Sequence, residues 1–223
     1  YIDSEILWPY NILLILSDEK IEFSAYGFFY FNLEYKFFQF LDLINYLKVS
    51  NIEDLNNGIY FSEKLENLII AGRWFNVFII YITLIITFLI FKNLIKNNKL
   101  SLLLCVTYMF TPGLIQQISH ARVDILASTL LLISYFFLIK FSESRKISIY
   151  ILFVIFVFLS IYTKVQSYIF IIFLLISSLY FIKENKENRE YQINIMIKIF
   201  IIMFILYCIA YPMLFHRHAK FSI

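Results

Sequence analysis

The chain has 223 residues, is 61% hydrophobic and only 16% charged, and carries 26 Phe and 17 Tyr. Apolar content in such long uninterrupted runs excludes an ordinary soluble domain, and four Gly and three Pro exclude collagen-like and linker-like chains. The formal net charge is +3, with basic residues spread over several loops rather than one face, which speaks against nucleic acid as a partner.

Residues 1–73 read as a long first outer loop carrying interfacial helices. Trp8–Leu16 is apolar but too short to cross about 30 Å of hydrocarbon. Ser24–Leu47 is rich in Phe and Tyr, yet Asn32, Glu34, Lys36, Gln39 and Asp42 recur within it. That mixture predicts an amphipathic helix lying at the headgroup level rather than a lipid-exposed span. Asn51, Asn56, Asn57 and Gly58 then mark turns. The region holds eleven acidic residues against five basic ones, which fits the side away from the cytoplasm. Asp3 and Glu5 stand just before the first short apolar stretch, where a carboxylate can take a proton from a hydroxyl or amine acceptor. A solvated acidic loop explains the same two residues without chemistry.

Residues 74–215 read as a transmembrane helical domain with about six spans. The first, 74–91, is eighteen residues without a charge, and Lys92, Lys96 and Lys99 follow as a cytoplasmic mark. The second, 100–118, contains Pro112-Gly113, so it is expected to bend or end near Thr111. The third, 123–139, is short and reaches span length only by starting at the interface; Lys140, Arg145 and Lys146 close it on the cytoplasmic side. Spans at 147–163 and 165–182 follow, separated by the polar turn Thr163, Lys164, Gln166 and Ser167. A third basic loop, 183–192, leads to the last span, 193–215, in which Lys198 snorkels near the inner end. Residues 216–223 begin another outer loop. The expected fold class is therefore an all-α integral membrane protein, with its basic loops on one face and its acidic start on the other.

The polar stretch Gln116–Asp124, QQISHARVD, falls on that outer face between two apolar runs. Arg122 has the planar fork that clamps a phosphate, or it snorkels to headgroups. Asp124 either supports that group, meets Lys164 from the next outer turn, or caps the following helix. Lys164 runs against the charge bias of the other loops and suits a point-charge contact to phosphate, or an interfacial anchor. His120 stands beside them as a supporting residue. His120, His216 and His218 are too loosely spaced to predict a metal, and Cys105 and Cys208 lie in apolar runs as inert packing residues.

Four stretches together resemble the membrane domain of the multi-spanning, lipid-phosphate-dependent glycosyltransferases of the GT-C class, on the branch related to protein mannosyltransferases and aminoarabinose transferases. They are Asp3-Ser4-Glu5; the aromatic run Tyr26-Gly27-Phe28-Phe29-Tyr30-Phe31; Ala71-Gly72-Arg73-Trp74-Phe75-Asn76; and the set Thr111-Pro112-Gly113, Ser119–Asp124 and Thr163–Gln166. The resemblance implies a GT-C type membrane domain with a transmembrane helix before the chain and further helices after it. It implies sugar transfer from an isoprenyl-phosphate donor to a glycan, lipid or protein acceptor, without a cofactor, on the periplasmic or exterior face of a bacterial inner membrane. Asp3 or Glu5 would be the base, because Ser4 separates an acidic pair that is adjacent in the family. Arg73, Arg122 and Lys164 would contact the donor phosphate, with His120 and Asp124 in support. The family often has Pro-Glu where Val123-Asp124 stands. The competing expectation is a transporter or flippase for a lipid-linked or anionic substrate, which calls for an internal repeat and ionisable groups at mid-membrane.

Overall fold

The computed structural model describes residues 28–46, 61–118 and 123–164, with single positions and short runs between 167 and 208. Every element in the three continuous stretches is a helix: α1 (Phe28–Leu43), α2 (Phe61–Ile95), α3 (Asn98–Met109), α4 (Pro112–Ile118), α5 (Val123–Ser144) and α6 (Ile147–Thr163). The expected spans at 165–182 and 193–215, the outer segment 216–223 and most of the third basic loop lie outside the continuously described residues.

The helix ends follow from single residues. After α1, Asn45 adopts φ 57, its N–H bonds to Asp42 O at 2.9 Å and the Tyr46 N–H to Leu41 O at 2.9 Å, a Schellman stop. After α2, Lys96 adopts φ 57 and bonds to Lys92 O at 3.0 Å; after α5, Arg145 adopts φ 57 and bonds to Phe141 O at 2.9 Å. Both of these turns are short and basic. Asn97 then caps α3, its side chain accepting from Lys99 N at 3.0 Å and Leu100 N at 3.2 Å. Lys146 opens α6 with no side-chain cap.

Two boundaries differ from the sequence expectation. α2 runs for 35 residues, from Phe61 rather than Trp74. At 1.5 Å per residue it is about 50 Å long, so it extends well past a hydrocarbon core of about 30 Å. Residues expected to be loop join it because nothing between Phe61 and Arg73 breaks a helix except Gly72. The expected span 100–118 is two helices: α3 ends at Met109 and α4 starts at Pro112. Proline brings no N–H and suits the first position of a new helix, so the break falls where the expected kink lay.

Two helices are long and apolar enough to cross a membrane, Glu66–Ile95 and Val123–Ser144; Ile147–Thr163 is a shorter apolar helix. α5 and α6 form an antiparallel pair with the most extensive contact between any two of the helices. Their seam holds Leu138, Phe141, Tyr150, Phe153, Val154, Val157 and Phe158. A second core joins α1 (Tyr30, Phe31, Phe38, Leu41), α2 (Leu68, Ala71, Phe75, Ile79, Ile80), α4 (Leu114) and α5 (Val123, Ile125, Leu126, Leu130).

Hydroxyls and a thiol pin the helices to one another. Thr83 Oγ1 of α2 meets Thr129 Oγ1 of α5 at 2.6 Å, Ser160 Oγ of α6 donates to Ala127 O of α5 at 2.9 Å, and Cys105 Sγ of α3 donates to Leu84 O of α2 at 3.3 Å. Each threonine also lies within reach of its own helix, Ile79 O at 2.9 Å and Ile125 O at 2.6 Å. A hydroxyl has one proton, so one threonine donates across and the other donates along its helix. A Thr83→Val and Thr129→Val double-mutant cycle, read by unfolding in mixed micelles, is expected to give a coupling near 0.6 kcal/mol. Zero coupling would assign both hydroxyls to their own helices.

The cross-links also set the polarity of the bundle. Thr83 pairs with Thr129, and Asn93 Oδ1 accepts from Lys140 Nζ at 3.1 Å, so α2 and α5 run parallel. The Lys96-Asn97 and Arg145-Lys146 turns therefore lie at one end. Lys140, which also pairs with Glu143 at 2.9 Å, sits with them. The start of α5 and the end of α6 lie at the other.

Candidate functional site

The end opposite the basic turns gathers the described members of the predicted site. α6 ends at Thr163, and Lys164 follows with extended backbone, φ −151 and ψ 117, its N–H bonded to Ser160 O at 2.9 Å. That geometry turns the lysine back across α5, where its ammonium forms an ion pair with Asp124 in the first turn of that helix. Both side chains are partly exposed, at 25% and 38%. Asp124 thus takes the partnership with Lys164 that was one of its three sequence-level options. The carboxylate takes one of the three ammonium protons, and among the described residues no second side-chain acceptor meets the other two.

Arg73 lies exposed on α2. It stands ten residues before Thr83, while Asp124 stands five before Thr129. With parallel helices at 1.5 Å per residue, Arg73 reaches about 7–8 Å farther toward the same end than Asp124. Asp3, Glu5, His120 and Arg122 lie outside the described residues. The structure therefore brings Asp124 and Lys164 together and places Arg73 at their end of the bundle.

Beside Arg73, α1 and α2 enclose an apolar groove of about 430 Å³, lined by Phe37, Phe40, Leu41, Ile44, Trp74 and Phe78 among others. Trp74 and Phe78 are more than half exposed to it. Its walls carry almost no polar surface, so it offers a bed for hydrocarbon rather than for a polar headgroup.

Sequence reasoning missed a second polar cluster. Tyr30, Phe31, Glu34, Phe38 and Leu41 recur at helical spacing and are all buried in the face that α1 presents to the bundle. Lys36 and Gln39 lie on the exposed side, bonded to each other at 3.0 Å. α1 is thus amphipathic, with a carboxyl in the middle of its buried stripe. Glu34 is 0% exposed, and neither of its oxygens has a hydrogen-bond partner among the described residues. Tyr30, one turn earlier, donates to Asn76 Oδ1 of α2 at 3.3 Å, and its ring meets Phe75 edge-on at 5.6 Å. Burial raises the Glu34 carboxyl to about 8, and the neighbouring Tyr30 hydroxyl opposes the rise only in part. The apolar spacing of residues 30, 31, 38 and 41 was the available signal. It places Glu34 inside, on the apolar stripe rather than on the polar face.

Among the described residues no group of three His, Cys, Asp or Glu side chains could hold a metal ion. Cys105 is buried and Cys208 is exposed, and both are free thiols. Comparison with protein-family models, with characterised proteins and with solved structures finds no match to the chain.

Proposed function

We propose that the chain is the membrane domain of an integral membrane glycosyltransferase of the GT-C kind, which moves a sugar from an isoprenyl-phosphate donor to an acceptor on the non-cytoplasmic face. The observation that carries this reading is the Asp124–Lys164 ion pair. It lies at the end of the bundle opposite the basic turns, with Arg73 at the same end. Membrane residence is supported by the faces of the helices. Only 39% of the most apolar window of α2 is buried, and Tyr81, Ile85, Leu102, Leu103 and Phe110 are exposed, an apolar surface that lipid covers and water does not tolerate. The basic turns suit the cytoplasmic side.

Asp3 or Glu5 takes the proton from the acceptor hydroxyl or amine. The freed lone pair attacks the anomeric carbon, the bond from that carbon to the phosphate oxygen breaks, and the electron pair leaves on the lipid phosphate. The Arg73 and Arg122 guanidiniums and the Lys164 ammonium stabilise the charge as it grows. Asp124 holds Lys164 in place, and His120 stands in the same stretch as Arg122. The groove beside Arg73 beds the isoprenyl tail next to its own phosphate. Because the donor is lipid-linked, no nucleotide sugar is needed outside the cytoplasm.

The transporter reading finds less support. Between Arg73 and Lys92 of α2, Asp124 and Lys140 of α5, and throughout α6, there is no acidic or basic side chain. The polar groups buried there are the hydroxyls of Thr83, Thr87, Thr129, Ser134, Ser160 and Thr163 and the amide of Asn76, all uncharged. Full-length protein in liposomes, supplied with isoprenyl-phosphate-linked sugars and candidate acceptors, is expected to form a glycosidic bond. Failure with every donor lipid and acceptor class, by protein shown to be folded, would contradict the proposal.

A further inference from the structure

We propose that Glu34 is a proton-binding site that governs the docking of α1 on the bundle: with the proton bound α1 packs against α2 and α6, and loss of the proton drives it off. The inference does not depend on the glycosyltransferase reading.

The geometry supplies a ligand site with one suitable occupant. Glu34 is fully buried at the contact of α1 with α2 and α6, and both oxygens lack partners among the described residues. An ionised carboxylate there would forfeit hydration with no compensating charge and only the Tyr30 hydroxyl beside it, whereas a neutral carboxyl loses far less. The other oxygens at hand are the Tyr30 hydroxyl and Asn76 Oδ1, which are already engaged with each other. Hard divalent cations want six or more oxygens, so this set is too small for them. A proton needs only the carboxyl.

No ionic group of the facing elements replaces it. On α1, Lys36 points outward to Gln39, and among the described residues Tyr30 is the only titratable side chain bearing on Glu34. Burial and Glu34 itself both push the Tyr30 hydroxyl up, so it remains a neutral donor. On α2 the neighbour is Asn76, uncharged, and Arg73 is exposed one turn away. α6, which contacts α1, has no charged residue, and its Phe156 and Leu159 pack against the core that holds Tyr30; Lys164 at its end is paired with Asp124.

The direction of the pH dependence is fixed by linkage. Docked, Glu34 titrates at about 8; undocked and hydrated, it returns to the ordinary glutamate value of 4.5. The docked state therefore holds more protons across that window. Docking is strongest below the lower value and weakens by up to tenfold per pH unit as pH rises toward about 8. Above that value both states are ionised and the dependence flattens. On an outer membrane face, α1 would cover the Asn76 end of α2 in acid and release it in alkali.

The test is a spin-label distance between Gln39→Cys on α1 and Asn98→Cys at the start of α3, in full-length protein carrying Cys105→Ser and Cys208→Ser, reconstituted in vesicles from pH 5 to 9. The expected result is a single narrow distance population in acid that gives way to a broad one as pH rises, with the change complete near pH 8 to 9. Glu34→Gln and Glu34→Leu, which cannot ionise, are expected to stay docked throughout. A distribution unchanged from pH 5 to 9 in the parent protein overturns the proposal, as does an equal pH response in either variant that folds.

Discussion

Replacing the acidic residue proposed as the base is expected to lower the proposed sugar transfer by about 10²–10⁴-fold, the usual contribution of a positioned general base. Asp3→Asn and Glu5→Gln, each made in the full-length protein, separate the two candidates. The variant at the base loses turnover with little change in KM for the lipid donor, because the donor's phosphate and tail bind elsewhere. The other variant keeps most of its activity. Ser4 separates the pair, so each carboxylate is replaced on its own. Near-parental turnover by both variants would remove the base from this segment and with it the assigned mechanism.

Lys164→Met is expected to cost about 10²–10³-fold in kcat, on the scale of losing one fixed donor to a developing oxyanion. It removes a cation that is strongest when the leaving phosphate carries its charge, and it also leaves Asp124 facing that phosphate as an unpaired anion. Asp124→Asn is expected to be milder, since the ammonium survives but is no longer held. The double variant should lose less than the two single losses combined, because the asparagine no longer repels phosphate. Lys164→Arg should retain part of the rate, as it keeps charge and donors while changing their geometry. Both partners are partly exposed, so raised salt should weaken the effect of Asp124→Asn more than that of Lys164→Met. A full-rate Lys164→Met variant would reduce the pair to a structural clamp between α5 and α6.

The helical character was legible because apolar runs of eighteen residues leave few alternatives, and residues 123–139 are helical within α5. The break before Pro112 was legible because proline acts on the backbone locally. Basic residues told which turns share an end, and the Asn93–Lys140 bond bears this out for the first two. What remained hidden depends on packing between distant segments. The start of α2 at Phe61 was masked by turn-forming residues just before it. Glu34 was read only as one of the polar residues of an amphipathic helix, because its burial depends on packing against α2, about forty residues on. The Asp124–Lys164 contact, by contrast, was one of the stated options. It needs only that consecutive helices return to the same membrane face.

The most direct measurement follows donor and product together in sealed vesicles. Full-length protein is reconstituted in one orientation, with a radiolabelled isoprenyl-phosphate-linked sugar in the bilayer and acceptor supplied to one side. The account predicts glycosidic bond formation when acceptor is on the side opposite the Lys96-Asn97 and Arg145-Lys146 turns. Isoprenyl phosphate should be released in equal amount to the sugar transferred. Movement of the intact donor lipid across the bilayer, with no bond broken on either side, would contradict it and establish a transporter instead.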